Sequence, residues 1–186
     1  MTKALKKDAT YADLQSVPEN FVAEILGGEL YASPRPLFAH AAVASALDVL
    51  LGGPFRFGIN GPGGWLIVAE PELHLGADVV VPDLAGWRTE RMLSEPAEPY
   101  PSLAPDWICE VLSPSTEQID RTKKLKIYGR ERVGHAWLIN PLLKTLEVLC
   151  PTGHGWALLA KHEGGERVRA EPFQAIELEL GRVWSR

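Results

Sequence analysis

The stretch Asp106-Trp-Ile-Cys-Glu-Val-Leu-Ser-Pro-Ser-Thr116 leads through a charged segment to His135-Ala-Trp-Leu-Ile-Asn-Pro141. Trp107 to Leu112 reads as a strand, with Trp107, Cys109 and Val111 on one face and Ile108 and Leu112 on the other. Both faces are apolar, which predicts a central strand covered on both sides. Glu110 interrupts the Ile108/Leu112 face. A carboxylate in that position is costly unless it is paired, protonated or bound to a metal. Two readings follow: a core salt bridge to Lys124 or Arg121, or a metal ligand.

A second acid bears on the choice. Val79-Val80-Val81-Pro82-Asp83-Leu84-Ala85 is another apolar run broken by one carboxylate. Pro82 cannot donate a ladder hydrogen bond, so Asp83 is expected at a bulge, bend or edge. An ordinary Pro-Asp turn is the alternative. If the two strands are neighbours, Asp83 and Glu110 converge on one cation.

The 186 residues, 46% of them hydrophobic, suit one domain with a sizeable core. No apolar run approaches the roughly 18–20 residues that span a bilayer, so no membrane partner is expected. Met1 to Asp8 are Lys-rich without a following apolar segment, which argues against export. Cys109 in a core strand and Cys150 before a Pro turn read as reduced thiols, and the expected location is cytoplasmic. No Cys/His cluster has zinc spacing. The net charge of -5 weighs against a dedicated nucleic-acid coat. Arg121 to Arg132 is the densest basic segment.

In chain order, Thr10 to Ser16 is expected to form a short helix with Thr10 as N-cap, ended by Pro18. Phe21–Leu26 and Glu29–Ala32 read as a hairpin turned at Gly27-Gly28, with Glu24 and Glu29 solvated beside the turn. A helix over about Leu37–Leu51 follows, stopped by Gly52-Gly53-Pro54. His40 near its start reads by default as a surface residue, with a phosphate contact or a site residue as alternatives. Residues 52–64 read as loop. Trp65–Ala69 and Glu72–Leu75 read as strand, and a hairpin through Gly76-Ala77-Asp78 would bring Glu72 beside Asp83; a solvated strand face is the alternative. Residues 88–105 are polar and Pro-rich, a long excursion.

Ser113-Pro114-Ser115-Thr116 opens a helix reaching about Glu131. Asp120, Lys124 and Tyr128 are four apart on it and share one face. Gly134 ends it, and Ala136–Asn140 is the next strand. Leu146–Cys150, Trp156–Ala160 and Ile176–Leu180 read as a C-terminal antiparallel extension.

An ordered pattern runs through these elements: Glu24-Ile-Leu-Gly-Gly28-Glu29-Leu30, Pro34, His40, Pro82-Asp83, Glu110-Val-Leu-Ser-Pro-Ser-Thr116, Asp120, Lys124, Tyr128, Val133-Gly134 and Trp137-Leu-Ile-Asn-Pro141. It resembles the Uma-two family of bacterial restriction-endonuclease-like proteins, in the PD-(D/E)XK nuclease superfamily. The match covers about residues 18–180 of a single domain over 1–186. The resemblance implies an α/β (mixed α+β) restriction-endonuclease-like fold: a central mixed sheet flanked by helices, with antiparallel extensions at both ends. It implies that Asp83 and Glu110 match two metal-binding acids. The superfamily lysine two residues after the Glu is Leu112 here, and Lys124 is the matching residue on the following helix.

The function implied is that of a Mg²⁺-dependent DNA endonuclease, with Mn²⁺ as a substitute ion. Asp83, Glu110 and the carbonyl of Val111 would hold the metal, and Lys124 would orient water or neutralise developing charge. Glu72, His40, Asp120 and Tyr128 are the expected neighbours of the site. A homodimer is a further expectation. The alternative is a catalytically weak or inactive nuclease fold acting as a DNA-binding or regulatory module. For Lys124 the alternative is a helix-surface pair with Asp120.

Overall fold

A computed structural model describes residues 3–92 and 99–185. Of the excursion expected at 88–105, residues 93–98 lie outside the described residues.

The chain opens with β1 (Lys6–Lys7) and α1 (Tyr11–Gln15). Thr10 and Asp13 form a reciprocal capping box at the start of α1, satisfying amides that a first helical turn leaves open. The hairpin β2 (Phe21–Leu26) and β3 (Glu29–Pro34) follows. Gly27 and Gly28 take φ of 64° and 77°, which a tight hairpin turn demands and only glycine adopts cheaply.

Helix α2 (Phe38–Leu51) does not stop at Gly52 as expected. Its backbone widens into a π-helical segment, Gly52–Arg56. Pro54 falls in that segment. Phe55 is buried there, and Arg56 Nη1 donates to the carbonyl of Ile67 at 2.7 Å. Burying Phe55 and anchoring Arg56 hold the extra turn that the Gly-Gly-Pro sequence argues against.

Strands β4 (Trp65–Ala69), β5 (Leu73–Leu75), β6 (Asp78–Val80), β7 (Leu84–Arg88) and β8 (Trp107–Val111) come next. The helical connection consists of α3 (Glu117–Ile119), a π-helical segment Asp120–Lys124, and α4 (Leu125–Arg130). It leads to β9 (His135–Asn140), β10 (Thr145–Thr152) and β11 (Gly155–Glu163). The two-residue strands β12 (Arg167–Val168) and β13 (Leu178–Glu179) and the short α5 (Leu180–Val183) close the chain.

The larger sheet has the order β11-β10-β9-β8-β7-β4. Only the β8–β9 pair in it is parallel; the other pairs are antiparallel. The helical connection between β8 and β9 is what a parallel pair requires. The smaller sheet, β1-β3-β2-β6-β5, is antiparallel throughout. The architecture is mixed α/β, with β8 central and its two faces in two cores, as the alternation predicted. Trp107, Cys109 and Val111 pack with α2 and the C-terminal segment. Ile108 and Leu112 pack with the α3–α4 helices and the smaller sheet.

Two expectations change. The run Val79–Ala85 is two strands, β6 and β7, in different sheets. Pro82-Asp83 is the bend where the chain crosses between them. The third C-terminal strand does not extend the larger sheet; β13 pairs only with β12. This segment instead seats Phe173, 2% exposed, against Phe55, Trp65, Trp107 and Trp137, at centroid distances of 4.7–5.5 Å.

Candidate metal centre at the seam between the sheets

The crossing from β6 to β7 breaks two ladders at once, so its backbone polar groups need partners. Side chains supply them. The Val81 N–H donates to Glu24 Oε1 at 2.8 Å, and the Val81 carbonyl accepts from Lys124 Nζ at 3.0 Å. The Asp83 carbonyl accepts from Glu70 N at 3.0 Å. The Asp83 carboxylate in turn accepts from the Val111 N–H at 2.6 Å.

The register places the two acids. Leu84 faces Cys109 across the β7–β8 pair, so Asp83, one residue earlier, stands across from Glu110. Glu110 projects from β8 into the core under the helical connection. Its Oε2 is 3.0 Å from Lys124 Nζ, and its Oε1 accepts from the Tyr128 hydroxyl at 2.6 Å. Lys124 also lies 3.2 Å from Glu24 Oε1 and 3.7 Å from Asp120 Oδ1. Glu110 is 2% exposed, and Lys124 and Asp120 are 4% exposed. Lys124 and Asp120 are therefore no surface pair. The π-helical segment Asp120–Lys124 begins and ends on these two residues, a wide-turn insertion of a kind often found at functional positions.

On the other face, His40 from α2 brings Nε2 to 3.3 Å from Asp83 Oδ2. Its side chain is 14% exposed, which corrects the default surface reading. Burial acts to lower its pKa, but the Asp83 carboxylate and the Val111 carbonyl outweigh burial and raise it. Its Nδ1 is buried without a hydrogen-bond partner.

Three carboxyl groups, Glu110, Glu24 and Asp120, thus meet one ammonium, and Asp83 stands beside Glu110. Burial pushes the Glu110 carboxyl well up, against the pull of Lys124. Burial likewise raises Asp120, to about 6. Lys124 keeps its charge: burial works against the ammonium, but Glu110 and Glu24 hold its pKa well above the usual lysine value. Burial, with Glu110 next, also raises Tyr128.

Asp83, Glu110, Val111, Lys124, Asp120, Tyr128 and His40 are therefore brought together. Glu72 is not. The β5–β6 hairpin forms as expected, but Glu72 Oε1 accepts from Tyr11 at 2.7 Å and meets His74 Nε2 at 2.8 Å. Glu24 stands in the cluster instead, at 9% exposed, which overturns its reading as solvated. The signal was present: Glu24 alternates with Leu26, itself 1% exposed, so it interrupts an apolar strand face as Glu110 does. Glu29 stays at the surface with Lys123, 3.0 Å away. Arg121 turns outward to Glu117 and Glu147. Among the described residues no group of three or more His, Cys, Asp or Glu is arranged to hold a metal ion.

The family model described as "Putative restriction endonuclease", Uma2, matches residues 8–181. The chain belongs to the Uma2 family. A solved structure of "a putative nuclease" from Anabaena variabilis superposes with a TM-score of 0.74 at 21% identity, covering 95% of this chain and 97% of that one. The two share a fold, and for this Uma2 chain that fold is the restriction-endonuclease-like one that the pattern around Glu110 implied. No curated protein matches the sequence.

Proposed function

We propose that this Uma2 chain is a Mg²⁺-dependent endonuclease of the PD-(D/E)XK type that hydrolyses phosphodiester bonds in DNA. The observation that carries the reading is the surplus of acids: Glu24, Glu110 and Asp120 surround Lys124, and Asp83, paired with His40, stands beside Glu110. Withdrawing that much negative charge from water calls for protons or a cation. The donors are all oxygens. Mg²⁺ takes one or two carboxylates and keeps several waters, so it does not need the closed three- or four-residue set that zinc does. Mn²⁺ suits the same donors.

Asp83, Glu110 and the Val111 carbonyl would hold the ion. When bound, it would supply an activated water and charge neutralisation at the phosphate. The remaining groups act through position and charge. Glu24 and Asp120 fix the Lys124 ammonium, and Lys124 balances the negative charge that grows on the phosphate oxygens. Tyr128 orients Glu110 through its 2.6 Å hydrogen bond. His40 holds Asp83 from the opposite side. Exposed Lys126 and Arg132 on the α4 side are candidates for backbone phosphate contacts.

One observation favours the second reading, a DNA-binding or regulatory module without efficient cleavage: both Glu110 oxygens already have partners, in Lys124 and Tyr128. A Mg²⁺ titration with supercoiled plasmid and single-stranded DNA separates the two. Cleavage that rises with Mg²⁺ and is lost in Glu110→Gln supports the enzyme. DNA binding without cleavage at any Mg²⁺ or Mn²⁺ concentration supports the module.

A further inference from the structure

We propose that Arg35 grips a backbone phosphate of the substrate at the open side of the acid cluster, and that Glu70 holds its guanidinium there until the strand arrives. The inference rests on the nuclease reading and adds to it the residue that meets the strand from solvent.

The cluster has a closed side and an open one. Lys124 and Glu110 are 4% and 2% exposed. Lys124 therefore acts from within, and a phosphate approaching through water does not touch it first. The Asp83 and His40 side chains are 15% and 14% exposed, and they mark where the cluster reaches solvent. A phosphodiester arriving there meets a carboxylate of its own sign. A cation at the surface is needed to offset that repulsion.

The chain brings one to this place. Glu70 is the residue after β4, and its N–H donates to the Asp83 carbonyl at 3.0 Å. Its φ of 47° lies in the left-handed region, which glycine takes freely and a glutamate takes under strain. The Glu70 carboxylate stands against Arg35, with Oε2 3.5 Å from Nη1. Arg35 lies between Pro34 and Pro36. Proline fixes its own φ and confines the residue before it to extended backbone, so Arg35 is held from both sides. Its N–H donates to the Asn20 carbonyl at 3.4 Å, and its Nε to the Glu19 carbonyl at 3.3 Å. The stem is thus fixed while the side chain stays 58% exposed.

The pair has the strength of a latch and not of a structural bridge. One long contact between exposed groups contributes little to stability. Other arginines are committed more firmly. Arg121 meets both Glu147 oxygens at 2.7 and 2.8 Å, and Arg130 meets Asp78 at 2.7 Å and the Leu75 carbonyl at 2.9 Å. A phosphodiester offers two non-bridging oxygens that match the guanidinium fork in parallel. Exchanging the single Glu70 contact for a phosphate is therefore favourable.

Fluorescence anisotropy with a short DNA duplex in EDTA, repeated over a range of salt, tests this on the full chain. Arg35→Ala should weaken binding by about ten-fold, the scale of one charged hydrogen-bonded contact. Its plot of log K against log salt should flatten by about one unit, which a merely structural role would not change. Arg35→Lys should recover part of the affinity. Glu70→Gln should tighten binding, and the gain should shrink when Arg35→Ala is added. Arg167→Ala is the control. It breaks a pair with Glu177 at the same 3.5 Å, beside Leu50 at the far end of α2, and should leave affinity and slope unchanged. Arg35→Ala with the parent's affinity and slope would overturn the proposal, and would leave the nuclease reading standing if the parent cuts plasmid in Mg²⁺. Equal losses in Arg35→Ala and Arg167→Ala would overturn it as well, as an effect of net charge alone. A parent that binds DNA without cutting, with binding lost in Arg35→Ala, would support Arg35 and end the nuclease reading. A parent that neither binds nor cuts would end both.

Discussion

The Asp83 carboxylate accepts a 2.6 Å hydrogen bond from the backbone N–H of Val111, the residue that follows Glu110. One side chain therefore stitches the bend after β6 to the end of β8 and sets the two acids side by side. The bond has a structural value apart from any chemistry. Asp83→Ala strands the Val111 amide and the His40 ring, and should cost about 1–3 kcal/mol in urea unfolding. Asp83→Asn keeps an acceptor oxygen and should cost less. In the parent, saturating Mg²⁺ should raise the melting temperature by mass action. Both Asp83 variants and Glu110→Gln should lose that rise. An unchanged parent melting temperature would remove the metal from the reading.

Glu24 separates anchoring from charge. Its Oε1 accepts from Val81 N and faces the Lys124 ammonium. Glu24→Gln keeps an acceptor for Val81 and removes one charge from a cluster already overstocked with acids. It should change stability little in the absence of metal. Glu24→Ala leaves the buried Val81 amide unpaired and should cost about 1–3 kcal/mol more than the Gln variant. Equal costs for the two substitutions would show that the amide is satisfied some other way.

Asp120 gives a pH signature. Burial raises its pKa from 3.8 to about 6, so between those values the folded state binds the proton more tightly than the unfolded chain does. Its contribution is fully present below about pH 4 and is lost as pH rises through about 6. Asp120→Asn removes that titration. Relative to the parent, the variant should therefore gain stability from pH 4 to pH 7, by on the order of 3 kcal/mol at most. The difference between the two unfolding curves isolates this group from the other carboxylates. A difference that is flat with pH would mean Asp120 is ionised throughout.

Much of this was legible in the chain because period-two alternation marks a face directly. Glu110 stood out between Ile108 and Leu112, and the two apolar faces of β8 predicted its central place. The same reasoning would have found Glu24 beside Leu26, but the nearby Gly-Gly turn suggested solvent. Other features depended on contacts that no local pattern encodes. Pro82-Asp83 read correctly as a break, yet nothing local says that the strands on either side join different sheets. The π-helical turn at Gly52–Arg56 exists because Phe55 and Arg56 find partners in the core and on β4. Glu72 sits in the hairpin that was expected, and went astray because Tyr11 and His74 compete for its carboxylate.

Gly86 tests the packing under the site. A Cβ built on it would lie 3.1 Å from Trp107 Cε3 and 3.3 Å from Trp65 Cε3. Both indoles are buried in the same core, so each would have to give by a few tenths of an ångström. Gly86→Ala should destabilise by about 1–3 kcal/mol through overpacking. A melting temperature equal to the parent's would mean that the tryptophan layer yields more readily than its packing implies.

Lys124 is where stability and chemistry meet, and they must be measured apart. It is the one ammonium among Glu110, Glu24 and Asp120, at 3.0, 3.2 and 3.7 Å. Lys124→Ala leaves buried acids uncompensated and should cost about 3–5 kcal/mol. Pairing it with Glu110→Gln should recover part of that loss, a coupling that a double-mutant cycle reads directly. Cleavage is then compared well below the variant's melting temperature, where the chain is folded. There Lys124→Ala should still be slower than the parent by ~100-fold or more, the scale of a lost contact to transition-state charge. Lys124→Arg should not restore the rate, because a planar guanidinium does not fit a compact ammonium's four oxygen contacts. Lys123→Ala is the control: its Nζ is 3.0 Å from Glu29 Oε2 and 5.3 Å from the Tyr31 ring centroid, at the surface. Its loss should cost under about 1 kcal/mol and leave cleavage unchanged. Parent-rate cleavage by folded Lys124→Ala would reduce Lys124 to a structural counter-ion and return the chemistry to the two acids alone.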